Sequence, residues 1–459
     1  MPETIVALAT PPGRSGIGIV RLSGQDALSV ARRLTGDARE FVPRRATFVE
    51  LRDPADNGLI DKALVTYFAA PHSFTGEDTI EISCHGSPVL LRKVIDLCLA
   101  AGCRPAEPGE FTLRALSNGK LDLAEAEAIR DLIDAQTNAA ARQAVRQLSG
   151  ALSQSLQPLK DELLNTIVVL ESALEFVEDD LPEAQSEAIA RSLHEVAERT
   201  RAFADTFKAG HLIRDGLTAT IVGRPNVGKS SLFNRLLGTE RAIVTDIAGT
   251  TRDQLNERFT VGDIPVHLID TAGMRETEDV VEKIGVERAR GAMADADLVI
   301  VVFDASEPLT EEDRELVRSA SRQAFIIALN KIDKHASRDI SLLASAGDPA
   351  LAAYREKMVA ISAKTGEGLD ELREAIVRPF ATNDISTSNF LVTDARHYDL
   401  LMRTCDELLQ SIERLEEGRS EEIVLIGLHN ALRYLGEITG ETTTEDMLTR
   451  IFSTFCIGK

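Results

Sequence analysis

The chain has 459 residues, of which 44% are hydrophobic and 27% are charged, and its formal net charge is −22. This length is too great for one hydrophobic core and indicates about three domains. The negative charge argues against a general RNA-binding protein, because nucleic acid is held mainly by Lys and Arg side chains that neutralise phosphates. An RNA substrate would require a local basic patch or a second, more basic protein.

The sequence contains neither an apolar run of about eighteen residues nor a signal-peptide pattern, so we expect a cytoplasmic protein without a membrane span. An odd number of cysteines without CxxC spacing suits a reducing compartment and indicates neither a disulfide frame nor a zinc site. These cysteines are Cys84, Cys98, Cys103, Cys405 and Cys456.

The first 118 residues indicate an α+β domain. Residues 4–13 and 16–24 predict two short strands around a Pro/Gly turn. Residues 73–86 alternate apolar and polar side chains, which predicts a half-buried strand with Glu81 on the face opposite Ile80 and Ile82. We expect a helix over residues 89–99 and a turn over residues 105–111.

Long amphipathic helices are predicted from residue 121 onwards. A first set of side chains recurs at the spacing of an α-helix. A second set forms an apolar stripe along another helix, and this stripe needs a partner helix to cover it. The first set is Ile129, Leu132, Ile133, Gln136, Ala140, Ala144 and Leu148; the second is Leu156, Leu159, Leu163, Ile167, Leu170, Leu174 and Val177. Two further stripes, in residues 400–415 and 423–435, follow a polar linker at 381–388. The helical domain is therefore expected to be split by an insertion.

The insertion carries the most informative stretch, GRPNVGKSS at residues 223–231. It follows an apolar run and precedes SLFNRLL, which predicts a strand, a phosphate loop and a helix. In the pattern GxxxxGK[ST], backbone N–H groups surround phosphates, while Lys229 meets the outer phosphate charge. Ser230 would supply a hydroxyl to Mg²⁺. Alone, this pattern also fits a glycine-rich turn that binds nothing.

Three later motifs exclude that simpler interpretation. Residues 270–273 (DTAG) follow an apolar strand and place a carboxylate near the expected γ-phosphate and Mg²⁺. Residues 330–333 (NKID) follow another, and the Asp333 carboxylate can accept from both N1–H and the exocyclic amine of guanine. Residues 362–364 (SAK) would support that base. These motifs, each at the carboxyl end of a predicted strand, predict a guanine nucleotide-binding domain.

The residues leave alternative catalytic arrangements open. Met274 follows DTAG where many small GTPases place a glutamine, and a thioether cannot orient water. We expect the loop 245–253 to close over the ligand, with Thr251 as a second Mg²⁺ hydroxyl. Charge in the transition state could be neutralised by Arg252 or Arg275, or by a monovalent cation held by Asn226 and loop carbonyls.

Five stretches together resemble the MnmE (TrmE) family of tRNA uridine-modifying GTPases, over residues 4–459. They are TPPGRSGIGIVRLSG, SFTGEDTIEISCHG, PGEFTLRALSNGKLDLAEAEAI, the core from GRPNVGKSS to DTAG, and FCIGK. The resemblance implies a multidomain α/β and α protein: an α+β tetrahydrofolate-binding and dimerisation domain at 1–118, a discontinuous helical domain at 119–211 and 381–459, and an inserted Ras-like α/β GTPase domain at 212–380.

The resemblance also implies an activity and partners. With the flavoprotein MnmG (GidA), the family adds a carboxymethylaminomethyl group to C5 of the wobble uridine of certain tRNAs. The one-carbon unit comes from 5-formyl- or 5,10-methylene-tetrahydrofolate. A homodimer and a heterotetramer with MnmG are implied, with FAD and much of the tRNA contact on the partner.

Carried over by position, the resemblance implies particular site residues. It favours K⁺ at Asn226, Thr245, Ile247 and Thr250, Mg²⁺ at Ser230 and Thr251, catalysis by Glu282, Lys229 and Thr251, and folate contacts by Arg21, Glu81, Lys120 and Lys459. Glu282 would orient water. The expected GTP contacts are Asn226, Val227, Gly228, Lys229, Ser230, Ser231, Thr245, Asp246, Ile247, Ala248, Gly249, Thr250, Thr251, Asp270, Thr271, Ala272, Gly273, Asn330, Lys331, Asp333, Ser362, Ala363 and Lys364.

Two other functions remain as alternatives. A GTP-dependent RNA-binding switch, such as a ribosome-assembly GTPase without modification chemistry, would carry a basic module with a GxxG loop or a lysine-rich tail. Neither is visible in the sequence. A nucleotide-gated scaffold would have helices but no small-molecule pocket in residues 1–118.

Overall fold

A computed structural model describes residues 3–36, 40–176, 183–238, 256–269, 293, 296–334, 353–380, 390–442 and 444–458. The chain divides into two compact units. The first comprises Met1–Arg130, Gln147–Leu193 and Gln410–Lys459, and the second comprises Asp131–Arg146 and His194–Leu409. Across the described ranges, no helix is both long and apolar enough to cross a membrane.

The described strands and helices are numbered here in chain order. The strands are β1 Ile5–Leu8, β2 Ser15–Ser23, β3 Thr47–Arg52, β4 Leu59–Phe68, β5 Thr79–Gly86, β6 Arg104–Pro105, β7 Leu217–Val222, β8 Asn256–Val261, β9 Ile264–Ile269, β10 Leu298–Asp304, β11 Ala324–Asn330 and β12 Met358–Ala360. The α-helices are α1 Ala27–Thr35, α2 Pro88–Ala100, α3 Glu110–Ser117, α4 Leu123–Asp134, α5 Asn138–Leu148, α6 Ala151–Phe176, α7 Glu183–Asp205, α8 Phe207–Arg214, α9 Lys229–Leu237, α10 Glu311–Ala320, α11 Leu369–Val377, α12 Ala395–Glu416, α13 Glu421–Thr439 and α14 Glu445–Phe452.

The first unit contains a six-stranded sheet in the order β3-β4-β5-β2-β1-β6. Its pairs are antiparallel except for β1 with β6. The two N-terminal strands pair with each other as the sequence predicts. Ile80 and Ile82 lie in the core beside residues of α1 and α2, whereas Glu81 is only partly buried. Because side chains alternate along a strand, Glu81 faces the opposite side of the sheet, as expected.

The predicted turn over residues 105–111 is wrong at its end, because α3 begins at Glu110. Gly109 precedes the helix in the left-handed conformation, with φ of 67°. A Cβ there would also lie 2.9 Å from the Phe452 carbonyl oxygen. The Pro-Gly pair therefore marks the start of a helix, and Glu110 in its first turn is favoured by the helix dipole.

The helical stripes are confirmed in part. The stripe on α6 is buried from Leu156 to Leu170, and α6 packs against α13, the partner helix that it needs. On α4, however, Ile133 is 47% exposed, while Leu123, Ala126 and neighbouring small residues are buried. The α4 expectation was wrong because the alanine face, which allows close approach, packs inward instead of the bulkier one.

The second unit contains a sheet in the order β12-β11-β10-β7-β9-β8, parallel except for β8 with β9. Every residue of β10 is buried, as expected for a parallel strand covered on both faces. The strand predicted after the phosphate loop motif, at 264–269, is β9, and the one before NKID is β11. The carboxyl ends of these parallel strands meet at one edge, where the predicted motifs lie.

Candidate functional site

The phosphate loop joins β7 to the N-terminus of α9. Gly228 precedes the helix with a φ of 100°, and a Cβ there would lie 2.2 Å from the Asn330 side-chain nitrogen. Only glycine suits this position, because both the left-handed backbone and the contact with Asn330 exclude a side chain. The loop thus brings backbone N–H groups to a helix N-terminus, an arrangement that favours phosphate.

Lys229 and Ser230 occupy the first turn of α9. The Lys229 ammonium donates to the carbonyl oxygens of Gly223 and Arg224, each at 2.8 Å. Its positive charge therefore lies over the loop, where phosphate charge would arrive. Ser230 is exposed, so its hydroxyl is accessible to a cation bound beside the phosphates.

Asn330 is buried between the phosphate loop and the segment 362–364. Its side-chain amide donates to the Val227 carbonyl at 2.8 Å, and its carbonyl oxygen accepts from the Ala363 backbone N–H at 2.9 Å. Both ends of the side chain are satisfied. Asn330 therefore connects three of the motifs that the sequence places at separate strand ends.

Asp333 has an exposed carboxylate that accepts a hydrogen bond from a buried serine. The Ser362 hydroxyl donates to its Oδ1 at 2.7 Å, and the same hydroxyl accepts from the Thr365 backbone N–H at 3.1 Å. Ser362 is fully buried, so it fixes the carboxylate while leaving it open to a ligand. Two oxygens in this position can accept from the adjacent donors of guanine.

Sequence reasoning missed Asp304, the last residue of β10. The Lys331 ammonium donates to its Oδ2 at 2.6 Å and to the Asn226 carbonyl at 2.7 Å. Burial would raise the pKa of Asp304, but donation from Lys331 and Ser306 lowers it below the usual value, so the carboxylate is ionised. The sequence signal available was an all-apolar run that ends in a carboxylate; the pairing of Asp304 with Asn330 is seen only in the structure.

Part of the predicted nucleotide site lies outside the described residues. This part comprises Thr245, Asp246, Ile247, Ala248, Gly249, Thr250, Thr251, Asp270, Thr271, Ala272, Gly273, Met274 and Glu282, with Arg252 and Arg275. The second Mg²⁺ hydroxyl, most of the K⁺ site and the water-orienting acid therefore stay predictions.

A second group of predicted residues meets on the first unit. Arg21 on β2 lies opposite Glu81 on β5, and its Nε and Nη2 donate to Glu81 Oε1 at 3.0 and 2.7 Å. Arg21 Nη1 also donates to the Gly458 carbonyl at 3.4 Å. Ile457 forms an isolated antiparallel β-bridge with Pro108. The segment that leads to Lys459 thus lies against Arg21, although Lys459 itself is outside the described residues.

Lys120 lies beside a cavity of the same unit. A Cβ at Gly76 would lie 3.2 Å from Lys120 Cε, which places this side chain against the 73–77 loop. The cavity has a volume of about 560 Å³, and its lining residues are Arg44, Phe68, His72, Ser73, Phe74 and Lys120. Phe68 is opposite Thr79 on β5, two residues from Glu81, so the cavity and the Arg21–Glu81 pair share neighbouring strands.

The mostly parallel sheet, the phosphate loop at the start of α9 and the exposed carboxylate of Asp333 in the NKID motif define a P-loop GTPase. Two family models match the chain: the GTP-binding protein TrmE N-terminus over residues 4–120 and the MnmE helical domain over residues 123–456. The chain belongs to the MnmE family of tRNA modification GTPases.

Full-length relatives agree with this membership. The tRNA modification GTPase MnmE of Koribacter versatilis is 48% identical over 464 residues, covering 100% of this chain and 99% of the relative. The protein of the same name from Aquifex aeolicus is 45% identical over 460 residues, covering 100% of both. A crystal structure of Aquifex aeolicus Era bound to GDP and AlF4⁻ is 28% identical over 42% of this chain and 67% of that chain, with a TM-score of 0.30.

Proposed function

We propose that this GTPase is stimulated by K⁺ and acts with the flavoprotein MnmG (GidA) on certain tRNAs. The pair adds a carboxymethylaminomethyl group to C5 of the wobble uridine, with a one-carbon unit from 5-formyl- or 5,10-methylene-tetrahydrofolate. The observation that carries this proposal is the Arg21–Glu81 pair with Gly458 against it, on a unit separate from the nucleotide site. A switch without modification chemistry has no need of such a site.

The residues of this pair suit a folate ring. A pterin presents an N3–H and a 2-amino group as adjacent donors, and a carboxylate such as Glu81 accepts from both. Arg21 donates twice to Oε1 of Glu81, which orients the carboxylate and leaves Oε2 available to the pterin donors. Lys120 and Lys459 would complete the site. The bound folate supplies the one-carbon unit.

The nucleotide site suits its proposed ions as well. The Asn226 side chain is exposed beside the phosphate loop, so its amide oxygen can hold K⁺ together with Thr245, Ile247 and Thr250. Ser230 and Thr251 would hold Mg²⁺, which neutralises phosphate charge. Glu282 orients the attacking water in place of a glutamine. Lys229 then neutralises charge on the transferred phosphate.

The acidic composition supports an RNA contact made largely by a partner. With a net charge of −22, the chain lacks the excess of cations that holds nucleic acid. MnmG, carrying FAD, would supply much of the basic surface in a heterotetramer built on a homodimer of this chain. The complex acts in the cytoplasm. The domain division at residues 118, 211 and 380 belongs to the same proposal.

The deciding experiment is mass spectrometry of wobble uridines in tRNA from cells that lack this protein. We expect the carboxymethylaminomethyl group to disappear and to return when the wild-type chain is expressed again. Re-expression of Lys229→Ala provides the matched control, since it removes GTPase function alone. Normal modification in the deletion strain, accompanied by unassembled ribosomal subunits, would favour the ribosome-assembly alternative.

A further inference from the structure

The cavity beside Lys120 is lined by two cations, Arg44 and Lys120. Arg44 Nη2 donates to the His72 carbonyl at 3.1 Å, and in the described part of the chain no carboxylate is within ion-pair distance of Arg44 or Lys120. This is unusual in a chain with 73 acidic and 51 basic residues. Cations that line one cavity raise the local concentration of anions and favour an anionic ligand.

Two of the remaining lining residues are phenylalanines. Phe68, the last residue of β4, and Phe74 line the cavity together with His72 and Ser73. The Arg44 backbone N–H donates to the Tyr67 carbonyl at 2.7 Å, so the arginine is fixed at the end of β4. A cavity with aromatic walls and cations at fixed positions suits a ligand that combines an aryl ring with carboxylates.

The distance along the sheet suits an extended ligand. Thr66 pairs with Glu81 and Phe68 pairs with Thr79, so Phe68 lies two residues, or ~7 Å, along the strands from the Arg21–Glu81 pair. Because residues two apart share a face, Glu81 and Phe68 look to the same side of the sheet. A folate has its donor-bearing ring at one end, an aryl ring in the middle and glutamate carboxylates at the other end.

We propose that this cavity binds the glutamate end of the folate and that Arg44 and Lys120 make the protein selective for oligo-γ-glutamyl folates. The inference rests on the proposed function, since it assumes that the ring lies at Glu81. Each added glutamate brings one more carboxylate to the two cations. Arg44 is then a specificity residue that reads the length of the tail and does not touch the ring.

Isothermal titration of the full chain with 5-formyltetrahydrofolate as the monoglutamate and as the triglutamate tests the proposal. For the wild type we expect the triglutamate to bind about tenfold more tightly, as one added charge-assisted contact would give. Arg44→Gln should reduce this preference to less than about twofold. Arg45→Gln is the matched control: it removes the same charge one residue away, outside the cavity lining, and should keep the preference.

A third ligand separates the ring site from the tail site. 5-Formyltetrahydropteroate has no glutamate, so the wild type and Arg44→Gln should bind it equally. Equal affinity of the wild type for mono- and triglutamate, or equal losses in the Arg44 and Arg45 variants, would overturn the tail site while leaving the folate function intact. If no folate binds to the wild-type chain, the proposed function fails and the tail site fails with it.

Discussion

Adjacent residues of the NKID motif bond to adjacent carbonyl groups of the phosphate loop. Asn330 binds the Val227 carbonyl, and Lys331 binds the Asn226 carbonyl. Asp304 holds the Lys331 ammonium from the next strand. The residues that would read the base and those that would bind phosphate are therefore parts of one hydrogen-bonded group, so a change at either end should affect both ends of the nucleotide.

The Asp333→Asn variant tests base recognition. An amide offers guanine a donor where a carboxylate offers an acceptor, so GTP affinity should fall on the order of a hundredfold. Xanthine carries a carbonyl in place of the amine, so the variant should gain relative affinity for xanthosine triphosphate. Calorimetric titration with both nucleotides measures the preference, and an unchanged ratio would refute the assignment of Asp333.

Asn226→Ala tests the cation site. We expect wild-type GTP turnover to be much faster in K⁺ than in Na⁺ at equal ionic strength, because the ion takes the electrostatic role of an arginine finger. Asn226→Ala should lose this preference. Glu282→Ala, the companion variant, should bind nucleotide but hydrolyse it slowly. Equal wild-type rates in the two salts would make Arg252 and Arg275 the better explanation.

Sequence reasoning identified the residues of the described site that belong to short motifs. Asn330 and Ser362 carry such signals, because the chemistry of guanine recognition fixes their type and order. Asp304 has no motif, and its importance depends on strand order: β10 lies beside β11, which places Asp304 within reach of Lys331. Register between strands follows from the complete fold, and a local pattern cannot supply it.

Among the secondary-structure elements, α8 is anchored by one arginine at its C-terminus. Arg214 Nη1 donates to Asp394 Oδ2 at 2.6 Å, and Arg214 Nε lies 3.3 Å from Asp131 Oδ2. Burial would raise the pKa of Asp394, but the charges of His397 and Arg214 hold it well below the usual range. Both carboxylates are largely buried, so the guanidinium is a close counter-charge for each of them.

Arg214→Gln should lower the free energy of unfolding by about 3 kcal/mol at pH 7, because it removes a guanidinium that lies against two largely buried carboxylates. The depressed pKa of Asp394 stabilises the fold above the unfolded carboxyl pKa of about 3.9, and this contribution is lost as the pH falls towards the folded value. The difference between wild type and variant should therefore shrink in acid.

Urea unfolding at several pH values measures this effect. Arg403→Gln is the control, because its ion pair with Asp399 is exposed and should contribute less than about 1 kcal/mol. Equal losses in the two variants, or a difference that grows in acid, would contradict the role given to Arg214.

One prediction about which face of a helix is buried was wrong. In α4 the sequence pattern favoured Ile133 as a core residue, yet the small residues around Ala126 face inward. Periodicity shows that a helix has a distinct face but not which neighbour covers it. The sequence predicted the stripe of α6 more successfully: its residues from Leu156 to Leu170 are buried, although Leu174 at its end is exposed.

In the whole molecule, each of the two units is built from segments that are distant in sequence. The first unit unites residues from the beginning, middle and last part of the chain. The family resemblance predicted that residues near 459 would return to the N-terminal domain. The hydrogen bond from Arg21 to the Gly458 carbonyl agrees with this prediction. Composition and periodicity could not have predicted this contact, because no local pattern connects these positions.

Deleting residues 457–459 should abolish tRNA modification while sparing GTP hydrolysis. The deletion removes the Ile457 bridge and the Gly458 carbonyl from the proposed folate site, and it leaves the phosphate loop unchanged. Wobble-uridine analysis and GTP turnover of the same preparation measure the two activities. Lys459→Ala is the milder control; joint loss of both activities in the deletion would indicate general unfolding.

The contact between Arg21 and Gly458 also sets an order of events during synthesis. The two residues are 437 positions apart, and a ribosome adding about 5 to 20 residues per second needs roughly 20 to 90 s to cover that interval. Once residues up to Pro105 have been made, the sheet that carries Arg21 and Glu81 can form, but for most of this interval the Gly458 carbonyl does not yet exist. A nascent or prematurely terminated chain can therefore acquire a folded nucleotide-binding unit while its proposed folate site is still incomplete.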